Sequence, residues 1–533
     1  MNARQVVLSM SDRLICALIA LLVLGSTVGF GGAVWWFTPF LSIGTCLLVL
    51  AKLTQILLSG RMPVIKSPLM LLGLFTLALA ILQIAPLPAS LARRLSPTAQ
   101  NVYACGFLPA LVRADAPDVE LPPPLAIRSP ASLDRSATLR WLITASAYLG
   151  IFWVVTHFTD RLERLHLVCG LVIAGFLFNA AIATVQVISK SNGLYGIFLP
   201  GAGPAWGPTL DDACAAPTLA VLKNLPDPAS MGAHGSAAPP QAVLAPAVPF
   251  LFGTMMGGSG AFLASGTIAL PLALAVVLHL ASSRGSRESL VDRLGQSSLG
   301  GLVILVLILM FPAAILLGLV AGFYYCLPLG IGLAIVLIPA IVRSNSRGIA
   351  SGLMLLLLTG LSLGVALQAW WPAIFRDSPP VEPPDLVLAR SLWSTSLRIL
   401  REFPLVGAGL GSFPTIHPYF KAVAVSSTTA MSSVLQWGAE AGSVGLGLLA
   451  LALLWSLIRL PAGLKRVGSI DQSLAHGLIG AAVSIGLLSV VHWTTELCAI
   501  AISVSAMAGV CNRWLAGGTD LFVERGWSSS MRL

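Results

Sequence analysis

The chain has 533 residues, of which 56% are hydrophobic and only 10% charged, and its formal net charge is +10. Soluble globular domains carry about 25% charged residues, so a water-exposed globule is excluded and a lipid solvent is implied. The basic surplus does not indicate nucleic acid, because the basic residues fall mainly in short connections between apolar blocks, where they orient a membrane protein.

The apolar blocks are continuous rather than alternating, which selects membrane-crossing helices over the strands of a closed barrel. Twelve spans are expected, at 14–32, 36–58, 67–86, 138–157, 166–188, 259–282, 300–322, 323–342, 348–370, 442–460, 473–491 and 497–514. The fold class is therefore an all-α polytopic transmembrane bundle. The first block follows Arg4 and Arg13, as a signal peptide would, but a second apolar block comes at once, so the first is read as a retained span.

Basic residues assign the sides. Arg61 and Lys66, Arg161 and Arg164, Arg284 and Arg287, Arg343 and Arg347, and Lys465 and Arg466 all fall on one side, together with both termini. That side is the cytoplasm by the positive-inside bias. Lys52 is close enough to this edge to snorkel. Segments 87–137, 189–258 and 371–441 fall outside; 241–257, apolar but rich in Pro and Gly, reads as a dip and not a crossing. Three parts follow: a transmembrane region at 1–370, an outer loop at 371–441, and C-terminal spans with a cytoplasmic tail at 442–533. Of eight cysteines, six lie in or at the ends of spans. The other two, Cys105 and Cys214, share the outer side and form a candidate disulfide.

The outer loop 371–441 holds the chemistry-bearing residues. Asp385 can cap a helix running to about Phe403, with Leu386, Ala389, Trp393, Leu397 and Leu400 as its apolar stripe. Arg390, Ser394, Arg398 and Arg401 form another face, so an amphipathic helix on the outer membrane surface is expected. Guanidinium forks suit phosphate and pyrophosphate; bulk lipid phosphate or water is the plainer alternative. Pro404–Pro414 reads PLVGAGLGSFP, and Gly407, Gly409 and Gly411 permit positive φ and close backbone approach. A nucleotide-binding reading fails, since no strand precedes it. Downstream, LQWGAEAGSVG carries Glu440 where the chain re-enters the membrane, as a base, an arginine partner or a helix-start charge. His417 and His492 remain as alternative bases or as structural polar residues.

The order Arg390, Trp393, the Pro404–Phe413 loop, Pro418-Tyr419, then LQ..AE.G..G with Gly442 and Gly445 resembles the O-antigen ligase and polymerase family. QIAPLP at 83–88, the run at 137–155 and HWTTEL at 492–497 agree with it. The resemblance implies a glycosyltransferase of the bacterial inner membrane. It would move a glycan from an undecaprenyl-pyrophosphate carrier to a lipid or glycan acceptor at the periplasmic face, with no metal and no cofactor. Arg390, Arg398 and Arg401 would then hold the pyrophosphate, and Glu440, His417 or His492 would act as base. The family's His-Asn pair is absent here; Met431 and Ser432 stand at those positions. A catalytically inactive relative that binds lipid-linked glycan or a partner is the second reading. A transporter is the third, opposed by the near absence of ionisable residues at mid-span.

Overall fold

A computed structural model describes residues 3–32, 36–60, 67–103, 129–189, 258–282, 300–342, 347–374, 386–420, 429–466, 472–492 and 498–515. Its helices are α1 (Ala3–Val28), α2 (Phe37–Ser59), α3 (Pro68–Ile84), α4 (Ala89–Leu95), α5 (Arg135–Phe158), α6 (Leu162–Ser189) and α7 (Gly258–Ser282). They continue as α8 (Gly300–Val342), α9 (Arg347–Ile374), α10 (Leu386–Glu402), α11 (Phe413–Phe420), α12 (Ser433–Arg466), α13 (Gln472–Val491) and α14 (Cys498–Leu515). The described residues contain no strand, only an isolated bridge between Leu87 and Ser129. Eight of the helices are long and apolar enough to cross a bilayer. Four shorter apolar segments, Pro68–Ile84, Leu309–Leu319, Cys326–Val342 and Cys498–Arg513, fall within the other expected blocks.

Several boundaries differ from the sequence reading. The first apolar window is Val6–Val28, nearer the N-terminus than expected, because Gly31 and Gly32 with positive φ end the helix in a 3-10 turn. α12 begins at Ser433 and is bent at Gly442, so it joins the outer loop to the expected span at 442–460. No break is drawn between 322 and 323, and α8 runs through. Its packing nevertheless carries directional information. Gly360 of α9 lies against Phe311 and Ala314, and Gly364 lies against Ile315 and Leu319, so the two stretches run parallel.

Small residues let the helices approach, as membrane helix packing demands. Gly332 of α8 meets Gly480 and Ser484 of α13, Gly509 of α14 meets Phe152 of α5, and Gly477 of α13 meets Ala275 of α7. α7 is the most enclosed helix, with buried side chains from Ala261 to Leu278. α3 and α5 start on local caps: Ser67 accepts from Met70 N at 3.2 Å, and Asp134 from Ala137 N at 2.9 Å.

At the end of the bundle where α3 begins, polar side chains join four helices. Asp12 accepts from Arg164 Nη2 at 2.7 Å and from Gln55 Nε2 at 2.6 Å. Arg164 also reaches Asp160 at 2.7 Å, and Ser67 donates to Asn512 at 2.9 Å. Lys52 reaches toward this end from inside the bundle. It is 5% exposed and donates to Gln55 Oε1 at 2.8 Å, because Gln55 and Asp12 supply a polar lining inside the bundle. The six described cysteines are free; Cys105 and Cys214 lie outside the described residues.

Candidate functional site

At the opposite end, a small cap is built from residues far apart in the chain. Its centre is the turn 404–413. Gly407, Gly409 and Gly411 have φ of 74°, 121° and 77°, values that L side chains rarely adopt. Gly407 presses directly on the Glu440 carbonyl, and Gly442 (φ 66°) presses on the Leu405 carbonyl, so neither position has room for a Cβ.

The turn lies against the bent start of α12 like a short ladder. Ala408 N donates to Ala439 O at 3.0 Å, Gly409 N to Glu440 O at 3.1 Å, Ser443 N to Pro404 O at 2.8 Å and Val444 N to Leu405 O at 3.1 Å. The bend at Gly442 frees carbonyls and amides that a straight helix would use itself. A third partner comes from α3: Gln83, fully buried, donates to Val406 O at 2.5 Å and Glu440 O at 2.9 Å, and accepts from Leu410 N at 3.0 Å. On the other side, Leu133 N donates to Ala408 O at 2.9 Å.

Glu440 is 4% exposed. Its Oε2 accepts from Gly411 N at 2.8 Å, its Oε1 from Phe413 N at 3.0 Å, and Gln436 Nε2 approaches Oε1 at 3.3 Å. The carboxylate therefore closes the glycine turn and lies at the N-terminus of α11. Of the three roles open from sequence, this geometry matches the helix-start charge, although the helix is α11 and not its own.

His417 is buried one turn along α11, its ring 5.3 Å from that of Phe413, beside a core of Ile399, Phe403, Ile416, Ala430 and Ala439. The structure thus brings Glu440 and His417 into one nucleus. His492 sits apart at the end of α13, buried, with its carbonyl facing Ser433 N at 3.4 Å. Glu496, its expected partner, lies outside the described residues. Tyr419 is half-buried on α11 and Gly445 packs against Trp437.

The helix α10 forms where expected, but its apolar stripe is rotated. Ala389, Leu392, Thr395, Ser396, Ile399 and Phe403 are buried, whereas Leu397, assigned to the stripe, is 43% exposed. The buried face packs into the protein's own cap rather than into lipid, because Ile399 and Phe403 complete the core around Phe413 and Ile416. Trp393 is half-buried and donates from Nε1 to Met431 O at 3.1 Å. Met431 has φ 53°, unique among described non-glycine residues. Arg390, Arg398 and Arg401 are all exposed, on the face pointing away from the core. None of the three is ion-paired to a described residue.

The segment before α5 completes the cap. Asp134 accepts from Ala137 N at 2.9 Å, Ser136 Oγ at 2.7 Å and Thr415 Oγ1 at 2.8 Å, tying α5 to α11. Burial pushes this carboxyl up, but the three hydrogen bonds and the charge of Arg140 outweigh it and leave the group below its usual value. Tyr103 donates to Ser132 O at 2.7 Å, and burial, with the Asp134 charge, pushes its phenol up to about 12.

Sequence reasoning singled out the turn, Glu440 and the arginines, but missed Gln83, Asp134 and Leu133 as parts of the same unit. A lone amide in the last turn of an otherwise apolar span was the available signal for Gln83. Among the described residues no group of three or more His, Cys, Asp or Glu is arranged to hold a metal ion. No family model matches the chain, and no curated protein matches it.

Proposed function

We propose that this chain is a membrane glycosyltransferase-like protein that takes a glycan from an undecaprenyl-pyrophosphate carrier at the periplasmic face of a bacterial inner membrane. All twelve apolar segments cross, both termini are cytoplasmic, and the cap around 404–413 stands on the periplasmic side. The observation that carries the reading is the exposed row Arg390, Arg398 and Arg401 on a helix clamped to that cap. Three guanidinium groups with no counter-ion among the described residues suit a pyrophosphate leaving group, whose charge grows as the glycosidic bond breaks. The motif order that resembles O-antigen ligases and polymerases runs through the same residues. The acceptor is a lipid or a glycan.

The test is a deletion strain scored for surface polymer. Wild type restores the polymer, and the Arg390→Ala/Arg398→Ala/Arg401→Ala protein, present at normal level in the membrane, does not. Full rescue by the triple variant removes this site assignment.

A second reading is a relative that binds the lipid-linked glycan without transferring it. It is favoured by Met431 and Ser432 at the family's His-Asn positions and by the engagement of the Glu440 carboxylate with Gly411 and Phe413 amides. Proteoliposomes supplied with radiolabelled lipid-linked glycan separate the two: label moving to an acceptor supports transfer, and retention of unconverted donor supports binding alone.

A further inference from the structure

A second basic group lies at the cap end, on helices that the proposed pyrophosphate site does not use. Arg93 and Arg94 are exposed in the last turn of α4, and Arg135 and Arg140 are exposed in the first turns of α5. Both helices adjoin one apolar cluster, to which α4 gives Ala92 and Leu95 and α5 gives Trp141 and Leu142.

Directly below these arginines the surface is apolar and exposed. Leu71, Leu74, Phe75 and Ile81 of α3, and Leu139 and Ile143 of α5, form outward rows on helices packed together where Gly73 meets Leu149. Arg135, Leu139 and Ile143 follow each other at four-residue spacing, about 6 Å per step along a helix. A guanidinium one step above the last apolar side chain stands at the depth of lipid phosphates. Leu91, exposed on α4, repeats the pairing beside Arg93 and Arg94.

None of the four makes an ion pair with a described residue. Asp134, whose carboxyl feels the charge of Arg140, spends its hydrogen bonds on Ala137, Ser136 and Thr415. A helix-dipole role explains Arg93 and Arg94 at a C-terminus. It does not explain Arg135, which follows the N-cap of α5, where the dipole opposes a cation. An external anion resolves that conflict.

We propose that Arg93, Arg94, Arg135 and Arg140 form a binding collar for the phosphate of anionic phospholipids in the leaflet on the cap side. A zwitterionic headgroup screens its phosphate with its own cation; a phosphatidylglycerol headgroup does not. The collar therefore selects net-anionic lipid and fixes the tilt of α3 and α5 beneath the cap. It does not depend on the glycan-transfer reading.

The test uses the full-length protein in phosphatidylcholine vesicles with increasing dibrominated phosphatidylglycerol, reading quenching of tryptophan fluorescence; Trp141 adjoins Arg140. One arginine at a charged membrane surface is worth roughly a fivefold preference, so wild type is expected to favour phosphatidylglycerol several-fold. The preference falls toward unity in Arg93→Ala/Arg94→Ala/Arg135→Ala/Arg140→Ala, survives the corresponding four lysine substitutions, and shrinks in high salt. If the quadruple alanine protein fails to fold, the pairs Arg93→Gln/Arg94→Gln and Arg135→Gln/Arg140→Gln must each lower the preference. No preference in wild type, or retention in both pairs, overturns the proposal. So does a preference lost only in the Arg390/Arg398/Arg401 alanine triple, which moves headgroup binding to α10.

Discussion

The side-chain amide of Gln83 donates to the backbone carbonyl of Glu440 at 2.9 Å across 357 residues of sequence. The same side chain holds both Val406 O and Leu410 N. The turn 404–413 is therefore held from α3 as well as from its own neighbour α12, and a small number of buried polar groups shapes the cap.

Gln83→Ala is expected to lower thermal stability in detergent. It leaves the Leu410 amide and the Val406 carbonyl without Gln83, while Glu440 O keeps Gly409 N, and one buried orphan alone costs about 1–3 kcal/mol. Gln83→Glu is expected to fare no better, because its second oxygen faces two carbonyls. A melting temperature equal to wild type in both would show that the amide is dispensable.

Gly407→Ala and Gly442→Ala are expected to prevent assembly of the cap, since each combines positive φ with a Cβ driven into a carbonyl. Gly447, also on α12, has no heavy atom within 4 Å of its Cβ position. Gly447→Ala should therefore be neutral, or stabilising by about 0.5–1 kcal/mol. Limited proteolysis of membranes carrying each variant reads the difference; equal resistance in all three contradicts the packing described.

Glu440→Gln separates structure from chemistry. The carboxylate accepts two backbone amides, and a side-chain amide can replace only one oxygen as acceptor, so a loss of about 1–3 kcal/mol is expected. A residue serving only as a base would lose activity on this change while its melting curve stayed in place.

Asp134 supplies a pH dependence. Its folded-state carboxyl is held below its ordinary value, so its contribution is complete above the unfolded value of about 3.9. It is lost as pH falls through the lower folded value. Thermal melts across this acidic range should show wild type losing stability that Asp134→Asn never had, with the curves converging at the acid end. A constant gap at every pH would contradict this.

The division between legible and illegible follows the range of each interaction. Apolar blocks are local, so eight of the expected spans appear as helices long and apolar enough to cross a bilayer and the other four hold only shorter apolar helices, with Ser433 and Val6 shifting two boundaries. The glycines of 404–413 are local too, since a turn needs positive φ whatever surrounds it. Gln83 and the link from Asp134 to Thr415 are different: their partners lie in α11, α12 and the turn, hundreds of residues away, and a lone amide at the end of α3 marks Gln83 without naming what it holds. The stripe on α10 was misplaced because Leu392 and Ile399 fit the helical period as well as Trp393 and Leu397. Only packing against Phe413 and Ile416 chooses between them.

The long reach from Gln83 to the start of α12 also sets a schedule for biosynthesis. A ribosome adding roughly 5–20 residues per second takes about 20–70 s to cover the 357 residues between Gln83 and Glu440. For most of that interval the Gln83 amide is without Val406, Leu410 and Glu440. Chains truncated before Ala439 lack both Glu440 and the bend of α12, so premature termination leaves the turn 404–413 without the α12 backbone partners that hold it.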